Sequence, residues 1–328
     1  MDSFLFALNA VAPIVIVVAI GYLLKRVGVI DGGFAKLANK LVFHVFLPAK
    51  LFLNIYRIDT IAEIELNYVI YTVLALLAVF LLALPAVLLI AKKQERRGAL
   101  WQAAFRSNYA LVGIPLSESL FGETGATVAT LLSAPIIPLL NMLAVISLSV
   151  FRNDGEKPSV RKILLGIIKN PLIQSVLLGL VVVALRPLVG ELGITFRLSD
   201  VTPLFKALDY LGVVATPLAL ICLGAQFEFS AVRSLRREIS FGVLMRTVIV
   251  PVLGIGTAYV LFRNSFTGAH FAAFIAVFAT PVSISSVPMA QEMDADVTLA
   301  GQLVIWSTLL SAFSIFLISF FLREVGIF

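Results

Sequence analysis

Asn108 lies in the run Arg106-Ser107-Asn108-Tyr109-Ala110-Leu111-Val112-Gly113-Ile114-Pro115-Leu116, inside a long apolar stretch. Its amide carries two N–H donors and an acceptor, a set that suits a carboxylate or hydroxyl on a small solute. The same amide can instead satisfy backbone groups freed nearby. Pro115 lacks an N–H and clashes with the preceding turn, and Gly113 loosens that turn. In hydrocarbon such a break persists only where protein or a water-filled cavity covers the released backbone. The run therefore predicts a polar site at membrane depth, with Asn108 as its leading contact and Ser107 and Arg106 beside it.

A second run has the same character: Thr280-Pro281-Val282-Ser283-Ile284-Ser285-Ser286-Val287-Pro288. Its hydroxyls and its prolines, Pro281 and Pro288, predict a solvated, partly unwound segment. Hydroxyls in membrane helices also bond back to their own helix, so a solute contact is expected from at least one of Thr280, Ser283 and Ser285. Two broken helices that cross would point half-helix N-termini, the positive dipole ends, at the site and favour an anion. Arg106 and Arg246 each fall within a span. Each either snorkels to the interface or faces the interior and attracts an anion. Lys50, two residues after Pro48, poses the same choice. His44 reads as a packed or interfacial group, and Asp209 as a residue of the outer interface.

Other chemistries find no support. The sequence has no H-E-x-x-H helix and no Cys/His cluster, so no metal or other cofactor is expected. His44 and His270 are its only histidines. There is no G-x-x-x-x-G-K-[ST] loop, which excludes direct ATP drive. Cys222 is the single cysteine and excludes an internal disulfide. Basic runs interleaved with aromatics are missing, which excludes nucleic acid as a partner.

The elements that must position these residues follow from composition. The chain is 60% hydrophobic and 13% charged, with mean hydropathy +1.04, which implies an all-α polytopic protein in a lipid bilayer. Spans need ~20 apolar residues. By that measure about ten are expected, at 4–24, 36–56, 66–91, 99–120, 124–151, 168–187, 207–227, 239–262, 268–291 and 297–322. Asp2 precedes the first span and Lys25-Arg26 follow it, the reverse of a secretory signal. The net charge of +6 is loop charge. Sixteen of the 25 Lys and Arg fall in the loops after spans one, three, five and seven, including Lys92, Lys93, Arg233, Arg236 and Arg237, and only six on the opposite side. The basic loops are expected in the cytoplasm and both termini outside.

The halves also match in order. Pro13 precedes Gly21 as Pro171 precedes Gly179, Pro48 has a counterpart in Pro217, and the fourth and ninth spans are both interrupted. This predicts two five-helix repeats, 1–152 and 153–328. Because five is odd, the second must be inverted in the membrane, a recurring plan of secondary transporters.

Asn108-x4-Gly113-Ile114-Pro115-Leu116 resembles the fourth-helix motif of the auxin efflux carrier family, whose plant members are the PIN carriers. Lys169-Asn170-Pro171, Leu223-Gly224, Arg246-x4-Pro251, and Pro281 with Ala290 and Glu292 are similar to further family patterns in the same order. The resemblance implies an elevator-type carrier with crossed, proline-broken fourth and ninth helices. It also implies a scaffold from helices 1, 2, 6 and 7, a transport domain from helices 3–5 and 8–10, and a homodimer. A member without the long cytoplasmic loop of plant relatives is of the bacterial type, whose substrates are malate, malonate and similar organic anions. Lys50 stands where the family is usually apolar. Two alternatives stay open at this level: a sodium- or proton-coupled carrier of the bile-acid-symporter or antiporter type, and a non-transporting membrane sensor.

Overall fold

In the computed structural model, residues 2–57, 65–152, 165, 168–191 and 197–328 are described. The described residues are helical apart from turns and one isolated β-bridge. The helices are α1 (Asp2–Arg26), α2 (Gly32–Leu41), α3 (Leu47–Tyr56), α4 (Leu66–Ile90), α5 (Gln94–Phe105), α6 (Ile114–Val150), α7 (Pro171–Glu191), α8 (Thr202–Gln226), α9 (Phe229–Leu244), α10 (Thr257–Phe262), α11 (Gly268–Phe278), α12 (Ser286–Glu292) and α13 (Val297–Glu324). Among the described residues six helical stretches are long and apolar enough to cross a membrane: Leu66–Ile90, Tyr109–Val150, Pro171–Leu188, Thr202–Gln226, Ser230–Phe262 and Val297–Glu324. The stretch from Tyr109 bends at Phe121 and Gly122, where Gly122 takes φ 62°, a conformation that costs glycine least.

Expected spans begin earlier than hydropathy places them at Gly32, Gln94, Thr202 and Phe229, and two of these share one cause. The span expected from 99 starts at Gln94 and the one expected from 239 starts at Phe229. Arg96 is the reason. It pairs with Glu238 at 2.9 Å and Asp296 at 3.1 Å, so charges that look unfit for a membrane helix neutralise one another. Asp296 also caps α13 through Leu299 N–H at 2.8 Å.

Three π-turns recur with one geometry. Val42–Phe46, Tyr109–Gly113 and Met245–Ile249 each end two residues before a proline, namely Pro48, Pro115 and Pro251. In each, the residue just before the proline donates its N–H five residues back: Leu47 to Val42, Ile114 to Tyr109, Val250 to Met245. A proline cannot donate to the carbonyl four residues back and its ring collides with it; the wider turn moves that carbonyl aside. This corrects the expectation that Gly113 and Pro115 break the fourth helix. Pro115 lies inside the helical stretch that starts at Tyr109, where the π-turn before it accommodates its ring and missing N–H, and the chain leaves helical form earlier, at Arg106–Asn108. Likewise Pro281 lies in the non-helical segment 279–285, whereas Pro288 sits within α12 and does not break it.

Packing is closest where glycines meet backbone. α1 packs on α8, and a Cβ at Gly224 would stand 1.9 Å from Val18 O, one at Gly21 2.2 Å from Ile221 O. α7 packs on α3, where a Cβ at Gly179 would stand 2.9 Å from Ile55 Cβ. Without a hydrophobic force between helices in lipid, such close approach supplies the packing energy. α5 packs on α4, α6 and α13, and α11 packs on α6; α1 also touches α13.

Candidate functional site

The two interrupted segments meet. Ser107 and Val282 form the antiparallel bridge. Asn108 N–H donates to Pro281 O at 2.8 Å, and Ser283 N–H donates to Arg106 O at 3.2 Å. Val282 N–H donates to Ser307 Oγ of α13 at 3.0 Å. Backbone groups that lipid cannot satisfy are thereby paired with one another.

Beside this bridge lies a cavity of about 80 Å³, roomy enough for several waters. Arg106–Leu111 and Ser283–Ser285 form one wall with Ile137, Leu140 and Asn141 of α6. Leu47, Lys50, Leu51 and Asn54 of α3, with Ala215, Thr216 and Ala219 of α8, form the other. Two larger openings, about 460 and 710 Å³, lie on exposed apolar faces, one lined by Val252, Leu317 and Phe321, the other by Leu74, Leu82 and Leu261. Of these three, the small cavity has the largest share of polar lining.

Of the residues expected at the site, Asn108, Ser107, Arg106, Ser283, Ser285 and Lys50 line this cavity. Asn108 and Ser107 are buried, and among the described residues Asn108 Nδ2 and Ser107 Oγ have no hydrogen-bond partner. Buried polar atoms seldom go unpaired, which sets these two apart from the bonded groups around them. The N–H groups of Tyr109, Ala110 and Leu111 open a helix, and the first-turn donors of a helix have no partner within it. Arg106 donates to Gln102 Oε1 and Met289 Sδ through Nη1, and to Asn141 Oδ1 and Ser285 Oγ, both at 2.8 Å, through Nη2. Lys50 Nζ donates to Thr216 Oγ1. Every one of these partners is uncharged, and no Asp or Glu lines the cavity among the described residues.

The structure puts two expected contacts elsewhere. Arg246 is fully buried and outside the lining. It neither snorkels nor faces the cavity. Its Nε donates to Thr280 O at 2.6 Å, its Nη2 to Val277 O at 2.6 Å and its Nη1 to Phe105 O at 3.3 Å. Those carbonyls lie at the C-terminal ends of α5 and α11, the negative dipole ends. Arg246 neutralises them, leaving the positive N-terminal ends of the following half-helices as the uncompensated ones. Thr280 bonds back to Ala276 O at 2.7 Å, the local alternative open to any helical hydroxyl. His44 is exposed and 3.9 Å from Glu292.

Asn54, Asn141 and Thr216 line the cavity without having been singled out from sequence. Each is a polar residue within an apolar span, and Thr216 and Asn141 lie close to Pro217 and Pro138. That proximity is the signal which would have found two of them.

A family model described as "Membrane transport protein" matches residues 6–319. The chain belongs to this auxin efflux carrier-like membrane transport family. It is 26% identical over 318 residues to an "Uncharacterized transporter" of Methanothermobacter thermautotrophicus, covering 95% of this chain and 97% of that one. It is also 23% identical over 231 residues to "Uncharacterized transporter MJ1031" of Methanocaldococcus jannaschii, covering 69% and 70%. Family membership and apolar helices together make this a multi-pass membrane transport protein rather than an enzyme.

Proposed function

We propose that this transporter carries small organic anions by alternating access. One observation carries the reading. Arg106 and Lys50 are brought to a single cavity with the unpartnered Asn108 Nδ2 and Ser107 Oγ, and no carboxylate among the described lining residues balances them. Buried charges are normally paired. A cavity that holds two cations and spare donors is completed by an anion with several acceptor oxygens, such as malate or malonate.

The cavity lies between two helix groups, which supports an elevator-type movement. One wall comes from α3 and α8, packed with α1, α2 and α7. The other comes from the paired breaks and α6, packed with α4, α5 and α9–α13. The first group is the scaffold and the second moves with the anion. Counting α2 with α3, α9 with α10, α11 with α12, and α5 with the part of α6 before Gly122, and taking the rest of α6 as a span of its own, gives ten spans. The tight α1–α8 contact at Gly21 and the α7–α3 contact at Gly179 are equivalents under an inverted five-plus-five repeat, and this supports that symmetry. A homodimer in the cell membrane with both termini outside completes the reading.

The test is uptake of ¹⁴C-labelled malate and malonate into proteoliposomes, with and without a sodium or proton gradient. Wild type shows saturable uptake and Asn108→Ala does not, while both elute as the same species in detergent. Equal uptake by the variant overturns the assignment.

A further inference from the structure

We infer that Arg106 is a positioning residue whose terminal nitrogens act through a two-hydroxyl relay, Ser285 and Ser283, that offers one free O–H to the transported anion. This rests on the anion reading above. A guanidinium can only donate. Each terminal nitrogen of Arg106 carries two hydrogens and makes two contacts, so all four are used on Gln102, Met289, Asn141 and Ser285. None of those four hydrogens remains for a solute, and Nε–H is the single donor of the fork that these contacts leave over. Asn141 is held in turn, its Nδ2 donating to Ile137 O at 2.8 Å, which anchors the fork.

The consequence falls on Ser285. Its oxygen accepts from Arg106, so its own hydrogen goes elsewhere. Ser283 Oγ is 2.9 Å away. Either Ser285 donates to Ser283 and the Ser283 hydrogen is left over, or Ser283 donates to Ser285 and the Ser285 hydrogen is left over. Both patterns leave one O–H, and both serines line the cavity. A hydroxyl whose oxygen accepts from a cation is a stronger donor, because the chain polarises. Arg106 thus delivers its charge through an oriented O–H, and the relay selects for an ionised acceptor over a neutral one.

The experiment measures Kd for malonate and for malonamate, its half-amide, with purified full-length protein in detergent. The proteins are wild type, Ser283→Ala, Ser285→Ala, Ser285→Thr, Arg106→Lys and Arg106→Lys/Ser283→Ala. Losing a hydrogen bond to a charged group costs on the order of tenfold or more. The relay predicts that Ser283→Ala and Ser285→Ala each weaken malonate about tenfold and lower the malonate-to-malonamate ratio. Ser285→Thr, which keeps the hydroxyl, restores both. The double variant is no weaker than Arg106→Lys alone, since the members act as one unit. A purely structural role for Arg106 lowers thermal stability and leaves the ratio unchanged. An unchanged ratio, or multiplicative losses in the double variant, overturns the relay while leaving the anion site standing. Binding of neither probe by wild type overturns the relay and the anion reading together. If Arg106→Lys does not fold, the serine variants alone decide, because wild-type affinity in both refutes the relay.

Discussion

Replacing Arg246 by methionine keeps the bulk of the side chain and removes its donors. In the folded protein two carbonyls then lose close charge-assisted bonds, Thr280 O and Val277 O at 2.6 Å each, and Phe105 O loses a longer one at 3.3 Å. A hydrogen bond to a charged group is worth about 1.5–3 kcal/mol. The two close bonds therefore total roughly 3–6 kcal/mol. Relief from burying the charge offsets part of this, and truncating one side of a buried charge network costs about 3–5 kcal/mol. At about 2–4 °C per kcal/mol for a large chain, the expected fall in Tm is on the order of 10 °C. Arg246→Lys keeps the charge but replaces the guanidinium fork with one ammonium, so it recovers about half. The assay is thermal melting in detergent at a fixed scan rate, alongside malonate affinity at a temperature where every variant is folded. A Tm within about 2 °C of wild type would refute the capping role. Unchanged Tm with lost binding would put Arg246 in contact with the anion, contrary to its position here.

Among the described residues Lys50 has one hydrogen-bond partner, Thr216, so Lys50→Met should leave Tm nearly unchanged yet weaken malonate by about tenfold or more, since a unit charge ~4 Å away contributes a few kcal/mol before desolvation is discounted; equal affinity by calorimetry refutes this. Asn108→Ala should abolish saturable uptake at wild-type Tm, because its Nδ2 has no described protein partner to lose; a large Tm loss would make the amide structural. Gly224→Val should fail to yield folded protein by gel filtration, as even the Cβ would stand 1.9 Å from Val18 O; a monodisperse variant would refute the tight α1–α8 packing.

The places where the chain leaves regular helix were legible as regions but not as positions. Prolines and polar residues flagged 106–116 and 280–288, yet a proline can end a helix, kink it or widen it into a π-turn, and its neighbours decide which. Around Pro48, Pro115 and Pro251 the wider turn won. The missed lining residues show the same limit from another side. Asn141 and Thr216 are polar groups among several in largely apolar helices, and only packing tells a cavity-lining asparagine from a buried anchor.

What the sequence by itself determined was the class of protein, most span boundaries, the polarity of the loops, and the two segments whose backbone needed partners. These follow from hydropathy, charge and missing N–H groups, all local quantities. What only the tertiary structure decided was the use of the cations. Position in a span gives depth but not azimuth, and an arginine reaches several ångströms from its Cα. Arg106, Arg246 and Lys50 looked alike along the chain. Folded, Arg246 caps helix ends, Arg106 anchors a hydroxyl pair, and Lys50 faces the cavity from the opposite wall, because long-range contacts set which acceptors each cation meets.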